Sequence, residues 1–92
     1  MPKLFIPTIM RRHTDGKAVA EVSGVTVAEA FADFAARYPG VESMLRDSSG
    51  RMLPHINVFV NGDDIRVLDG EQTAVAARDE VHVIPAMAGG AL

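Results

Sequence analysis

Residues 25–40 read VTVAEAFADFAARYPG, and this stretch decides the fold. Thr26 and Glu29 have the T-x-x-E spacing of a capping box, in which a hydroxyl and a carboxylate take up backbone N–H groups that a helix start leaves bare. Val25, just before the cap, is placed to act as a hydrophobic staple against Ala30. Val27, Ala30, Phe31, Phe34, Ala35 and Tyr38 recur at helical spacing. Arg37 puts a cation in the last turn, where it suits the helix dipole, and Pro39-Gly40 stops the run. The spacing predicts a helix from about Thr26 to Tyr38. Its aromatic stripe reads as a face turned to the core, not as a cofactor box.

The flanks of this helix read as strands. Residues 3–10, KLFIPTIM, are apolar and β-rich, with Pro7 marking an irregular strand of the kind found at an edge or bulge. A polar loop from Arg11 to Lys17 holds the turn pair Asp15-Gly16, and Ala18 to Ser23 then forms a second strand, so the two make a long-looped hairpin. After the helix, Val41 to Pro54 is a connection tethered by Leu45 and Leu53. His55 to Asn61, HINVFVN, alternates strictly: Ile56, Val58 and Val60 face one way, and His55, Asn57, Phe59 and Asn61 the other. Asn61-Gly62 is a hairpin turn pair, with a short strand expected over Ile65 to Leu68. Asp69-Gly70 is a further turn, and Ala74 to Ala77 fits no single element. Val81 to Ala86 is the last strand. A helix between two hairpin-like pairs predicts an α+β domain, a mixed sheet packed on one main helix with the terminal strands in its middle. The expected core is Phe5, Val22, Val27, Phe31, Phe34, Ile56, Val58, Val60, Val81 and Val83.

Composition narrows the function. The 92 residues carry a net charge of −3 and no cysteine. An acidic balance argues against nucleic acid, and the absence of cysteine excludes disulfides, thiol nucleophiles and thiolate metal sites. The start, Met1-Pro2-Lys3-Leu4, lacks a signal-peptide layout, and no apolar run approaches membrane-spanning length, so the expectation is a cytoplasmic protein that engages no membrane. His13, His55 and His82 are widely spaced and match no metal pattern. Asp63-Asp64 and Asp79-Glu80 flank turns, where carboxylates serve solubility and local hydrogen bonds. No P-loop, nucleophile elbow or dinucleotide fingerprint is present. The domain offers no catalytic residue and no metal site, and is not expected to be an enzyme.

Two features do point to a role. If Val81 and Val83 face the core, then His82 and Ile84 share the outer sheet face with Phe59, and these three form an expected partner-docking patch. The chain then runs into Met87-Ala88-Gly89-Gly90-Ala91-Leu92. A Gly-Gly pair has no side chains to obstruct a narrow channel, and residues 87–92 are expected to form a flexible tail after a domain of residues 1–86.

LFIPTIM, TVAEAFADFAARYPG, INVFVNGDDIR and DEVHVIPAMAGG, taken together, resemble the ubiquitin-like sulfur-carrier family of the ThiS and MoaD type, with an overall look nearest to CysO-like carriers. The resemblance implies a β-grasp fold and a protein that is a substrate, with no cofactor of its own. An E1-like adenylating and sulfur-transferring enzyme would use ATP and magnesium to activate a glycine carboxylate and convert it to a thiocarboxylate. Here the matching position is Gly90, with Gly89 as the slender neck of the tail. A sulfur-accepting biosynthetic enzyme is the second implied partner. Ala91 and Leu92 depart from the plain pattern; some relatives with such extensions resemble precursors cut by a JAMM-type metalloprotease, which here would cleave between Gly90 and Ala91. Two other readings stand beside this one: a ubiquitin-like modifier conjugated through Gly90, and a β-grasp interaction subunit with a passive tail.

Overall fold

Valine and isoleucine at alternate positions give Ile56–Val60 and Glu80–Pro85 one buried face each, and these two antiparallel strands form the spine of the sheet. The computed structural model describes residues 1–85. Its strands are β1 (Lys3–Phe5), β2 (Val19–Glu21), β3 (Ile56–Val60), β4 (Asp63–Asp64) and β5 (Glu80–Pro85), and its helices are α1 (Val27–Arg37) and the four-residue α2 (Glu42–Leu45). The sheet order is β2-β1-β5-β3-β4. β1 and β5 lie side by side and parallel, and every other pairing is antiparallel. The terminal strands therefore occupy the middle of a mixed sheet, as expected.

α1 covers one face of that sheet. Thr26 Oγ1 accepts from the Glu29 N–H at 3.2 Å, while Glu29 Oε1 accepts from the Val25 N–H at 3.0 Å. The capping residues thus work as the sequence predicts, with the carboxylate reaching one residue further back than in the usual box. The staple does not form: Val25 is 66% exposed. Its backbone is engaged instead, accepting from Val75 N–H at 3.0 Å beside the antiparallel bridge between Thr26 and Ala74. That bridge gives the ambiguous 74–77 stretch its place. Gly24 precedes the cap at φ +146°, and a Cβ there would stand 2.7 Å from Glu29 Cβ. Only glycine lets the chain turn this tightly into the helix.

The core lies between α1 and the inner sheet face. Phe31, Phe34, Leu4, Ile6, Val22, Val27, Val58 and Val81 are at most 2% exposed. Phe5 is a correction to the expected core. It is half-buried, because Leu4 and Ile6 point inward and strand alternation turns the residue between them outward. The first strand is also shorter than its apolar run. Pro7 has no N–H for a ladder, and Thr8–His13 coils as a 3₁₀ turn that still delivers Met10 to the core. Likewise Ile65–Val67 is a 3₁₀ turn, not a strand; Asp64 Oδ1 accepts the Arg66 N–H and starts it, and the strand lies one step earlier, at Asp63–Asp64. The 41–54 connection contains α2, which buries Leu45. Asn61 and Gly62 have φ of +52° and +91°, the positive values that a tight β3–β4 turn requires.

Candidate functional site

The outward face of the sheet carries one continuous row of side chains. Strand register aligns Val19 with Phe5, Phe5 with His82, His82 with Phe59 and Phe59 with Asp64, so a single line crosses all five strands. Its three aromatic members sit outside because their neighbours in sequence sit inside: Leu4 and Ile6 are buried around Phe5, Val81 and Val83 around His82, and Val58 and Val60 around Phe59. The His82 and Phe5 rings stack with centroids 4.3 Å apart and planes within 4°. Such contact lets an aromatic row shed water although the sheet face is open.

Ile84 lies two residues along β5 from His82, opposite Asn57, and is 50% exposed. It is the diagonal neighbour of Phe59, within reach of an aromatic side chain. The sheet thus brings Phe59, His82 and Ile84 together on one outer face, as the sequence predicts. It adds Phe5, which sequence reasoning placed inside. The run Leu4-Phe5-Ile6 is apolar throughout and hides its own phase. The usable signal was Val81 and Val83 in a neighbouring strand, but only once β1 was known to pair with β5.

Polar contacts frame this apolar row. Arg66 clamps Asp64, with Nη2 2.7 Å from Oδ2 and Nε 3.1 Å from Oδ1, and also donates to Asn57 Oδ1. The Arg66 hydrogen bond holds the Asp64 carboxyl below its ordinary range and raises the guanidinium in return. At the opposite end of the strands Lys3 is aligned with Glu80 and Glu21. The Glu80 carboxylate also stands 3.4 Å from His82 Nε2. Asn61 donates to Asp79 Oδ1 and accepts from the Glu80 N–H, which locks the turn before β5. A groove of about 450 Å³, lined by Leu53, Ile56, Asp64, Ile65, Arg66 and Glu71 among others, meets the row at Asp64, and none of Phe59, His82 and Ile84 borders it.

His13 and His55 do not join His82. His13 packs near Gly40, where its Nδ1 would meet an added Cβ at 2.5 Å. Among the described residues, no group of three His, Asp or Glu side chains is placed to hold a metal ion, and no helix is long and apolar enough to cross a membrane. Gly89, Gly90 and Ala91, with the rest of the expected tail and its boundary at residue 87, lie outside the described residues. The described part of β5 ends at Pro85, one residue past Ile84.

Comparison with known proteins supplies the family. The model of the ThiS family matches residues 6–90. The sulfur carrier protein CysO of Mycobacterium tuberculosis is 40% identical over 87 residues, covering 92% of this chain and 94% of that protein. A chain of the Amycolatopsis orientalis BexX/CysO complex superposes with a TM-score of 0.89 at 36% identity, over 98% of this chain and 100% of that one. Small archaeal modifier protein 3 of Haloferax volcanii is 38% identical over 65 residues, covering 71% of this chain and 70% of that protein. The β-grasp arrangement of sheet and helix, and a family match running from Ile6, just after the first strand, through the paired glycines, mean that this chain belongs to the ThiS family.

Proposed function

We propose that this protein is a sulfur carrier, acting as the substrate of other enzymes and not as a catalyst. The observation that carries the reading is the extent of the family match. It ends at Gly90 and leaves Ala91 and Leu92 outside. Removal of those two residues, by a JAMM-type metalloprotease, frees the Gly90 carboxylate. A carboxylate is a poor electrophile, so an E1-like enzyme joins it to the α-phosphorus of magnesium-bound ATP and releases pyrophosphate. A sulfide nucleophile then attacks the acyl carbon and forms a C–S bond, the acyl C–O bond breaks so that AMP departs with one former carboxylate oxygen and the bonding electron pair, and the chain ends in a thiocarboxylate. That sulfur passes to a biosynthetic enzyme making cysteine or another sulfur amino acid, thiamin, molybdopterin or a secondary metabolite. A cytoplasmic setting, where ATP is plentiful, suits the chemistry.

The chain's own contribution is presentation. Its body supplies an outward patch of Phe59, His82 and Ile84 for the activating enzyme to hold, and Gly89 supplies a neck without a side chain. The lack of cysteine suits this role, since no thiol of the carrier can capture its own activated carboxyl.

The identity with small archaeal modifier protein 3 favours a second reading, in which a lysine amine attacks the same adenylate. The attacking group separates the two. Incubation of a chain ending at Gly90 with the activating enzyme, ATP and sulfide yields an oxygen-to-sulfur mass shift for a carrier. Cell extracts containing the tagged chain yield isopeptide-linked ladders for a modifier. A β-grasp subunit with a passive tail gives neither, and loses no partner binding when residues 87–92 are deleted.

A further inference from the structure

The sheet is polarised in charge along its strands. β1 and β5 run parallel, so the segment after β1, the segment before β2 and the last residue of β5, Pro85, all lie at one end. That end carries Arg11, Arg12 and Lys17, with Asp15 as the one carboxylate of the 7–18 connection. None of these three cations has a salt-bridge partner among the described residues. Arg12 and Lys17 are exposed, while Arg11 is partly tied down by donating its Nε–H to Ile6 O. Glu42 of α2 stands beside Arg46. The other end of the sheet carries Glu21, Asp63, Asp79 and Glu80 around Lys3 and Arg78. The 7–18 connection, at the end where β5 finishes, thus carries three cations against one carboxylate, while the other end carries two cations, Lys3 and Arg78, against four carboxylates.

We infer that Arg12 and Lys17 form a steering surface for an acidic protein surface around the mouth of the channel that receives the tail. This rests on the sulfur-carrier reading, because it concerns how the tail is delivered. Binding of a narrow peptide end to a buried reaction centre requires the body to arrive in one orientation. A dipole with its positive end at the tail turns the approaching molecule so that the tail leads, and such steering acts mainly on the association rate. The Phe59–His82–Ile84 patch then supplies short-range contact, which steering does not replace.

The test is the initial charging rate of a chain ending at Gly90 by its activating enzyme, at limiting carrier concentration and over a series of ionic strengths. Three proteins are compared: the parent, Arg12→Glu with Lys17→Glu, and Glu21→Lys with Asp63→Lys. The last pair alters charge at the far end by the same magnitude. All four side chains are exposed and make no side-chain hydrogen bond or ion pair within the described residues, and melting curves verify that the variants fold. The expected result is a loss of at least about tenfold in kcat/KM for Arg12→Glu with Lys17→Glu at low salt, shrinking toward the parent value as salt screens the charges, with kcat at saturation retained. The far-end pair is expected to stay within about twofold of the parent. A parent rate insensitive to salt, or an equal loss in both variant pairs, overturns the steering inference while leaving the carrier reading intact. A parent that is never charged overturns both.

Discussion

Phe5 and His82 stack ring on ring across the two central strands, with centroids 4.3 Å apart, and Phe59 lies directly opposite His82 on the next strand. A histidine is thereby held between two phenylalanines on a face that α1 leaves uncovered. Cross-strand pairs of this kind contribute about 0.2–1 kcal/mol each, far less than a buried aromatic. Phe59→Ala is therefore expected to lower stability by only about 1 kcal/mol while weakening capture by the activating enzyme roughly tenfold or more. Paired denaturant melts and pull-downs distinguish the effects. A large stability loss would assign Phe59 to the core.

Phe34→Ala is expected to behave in the opposite way. Phe34 is fully buried on α1 and packs edge-on against Tyr38, with ring centroids 5.7 Å apart. Truncating such a residue costs about 3–5 kcal/mol, a large share of the ~5–15 kcal/mol that holds a domain together. Phe5→Ala is expected to cost markedly less, because Phe5 keeps one side in solvent. Urea titrations of both variants check this ordering, and equal losses would contradict the inward and outward assignment of Leu4 and Phe5.

Gly24→Ala tests the entry to α1. The new methyl would meet Glu29 Cβ at 2.7 Å and Ala30 N at 2.8 Å, at a φ of +146° that side chains rarely adopt. Backbone strain of this type costs about 1–3 kcal/mol. A thermal melt is expected to show the loss, whereas an unchanged melting temperature would mean that the cap accommodates a side chain.

Acid stability follows from Asp79. Its carboxylate accepts the Ala76 N–H at 2.7 Å and the Asn61 amide at 2.9 Å, the first being the larger cause of a pKa held below the ordinary carboxylate value. A depressed folded-state pKa stabilises the protein above the unfolded value of about 3.9. That stabilisation disappears as pH falls from there through the folded value. Asp79→Ala is thus expected to be less stable than the parent at pH 6, with the gap closing toward pH 2. Denaturant midpoints over this range measure it, and a gap independent of pH would contradict the assignment.

The helix and the final strands were legible because each states its phase unambiguously. Thr26, Glu29 and the Val27–Phe31–Phe34 spacing define α1, and alternation defines which of Val81, His82, Val83 and Ile84 face out. Elements whose residues are apolar on both sides, or too short for a period, were not legible. Leu4-Phe5-Ile6 gives no phase, which sent Phe5 to the core. Ile65–Leu68 has strand-like residues but is bent into a turn by the Asp64 carboxylate accepting the Arg66 N–H. The short α2 lies inside a connection whose polar 47–50 segment dominates its composition, with Leu45 as its buried anchor. His82 and Ile84 of the candidate patch could be read from β5 alone. The stacking of Phe5 on it required the parallel pairing of the first and last strands.

The central claim is that sulfur is carried on Gly90, and intact-protein mass spectrometry tests it most directly. The chain ending at Gly90, the 92-residue chain and the Gly89→Val variant of the shorter chain are each incubated with the activating enzyme, magnesium, ATP and sulfide. The account predicts an oxygen-to-sulfur mass increase for the chain ending at Gly90 alone. The branched Leu92 end and the β-branched neck are both too wide for a channel shaped to glycine, and Gly89→Val leaves the melting temperature unchanged. A chain ending at Gly90 that keeps its original mass, under conditions in which the same enzyme charges another carrier, would contradict it.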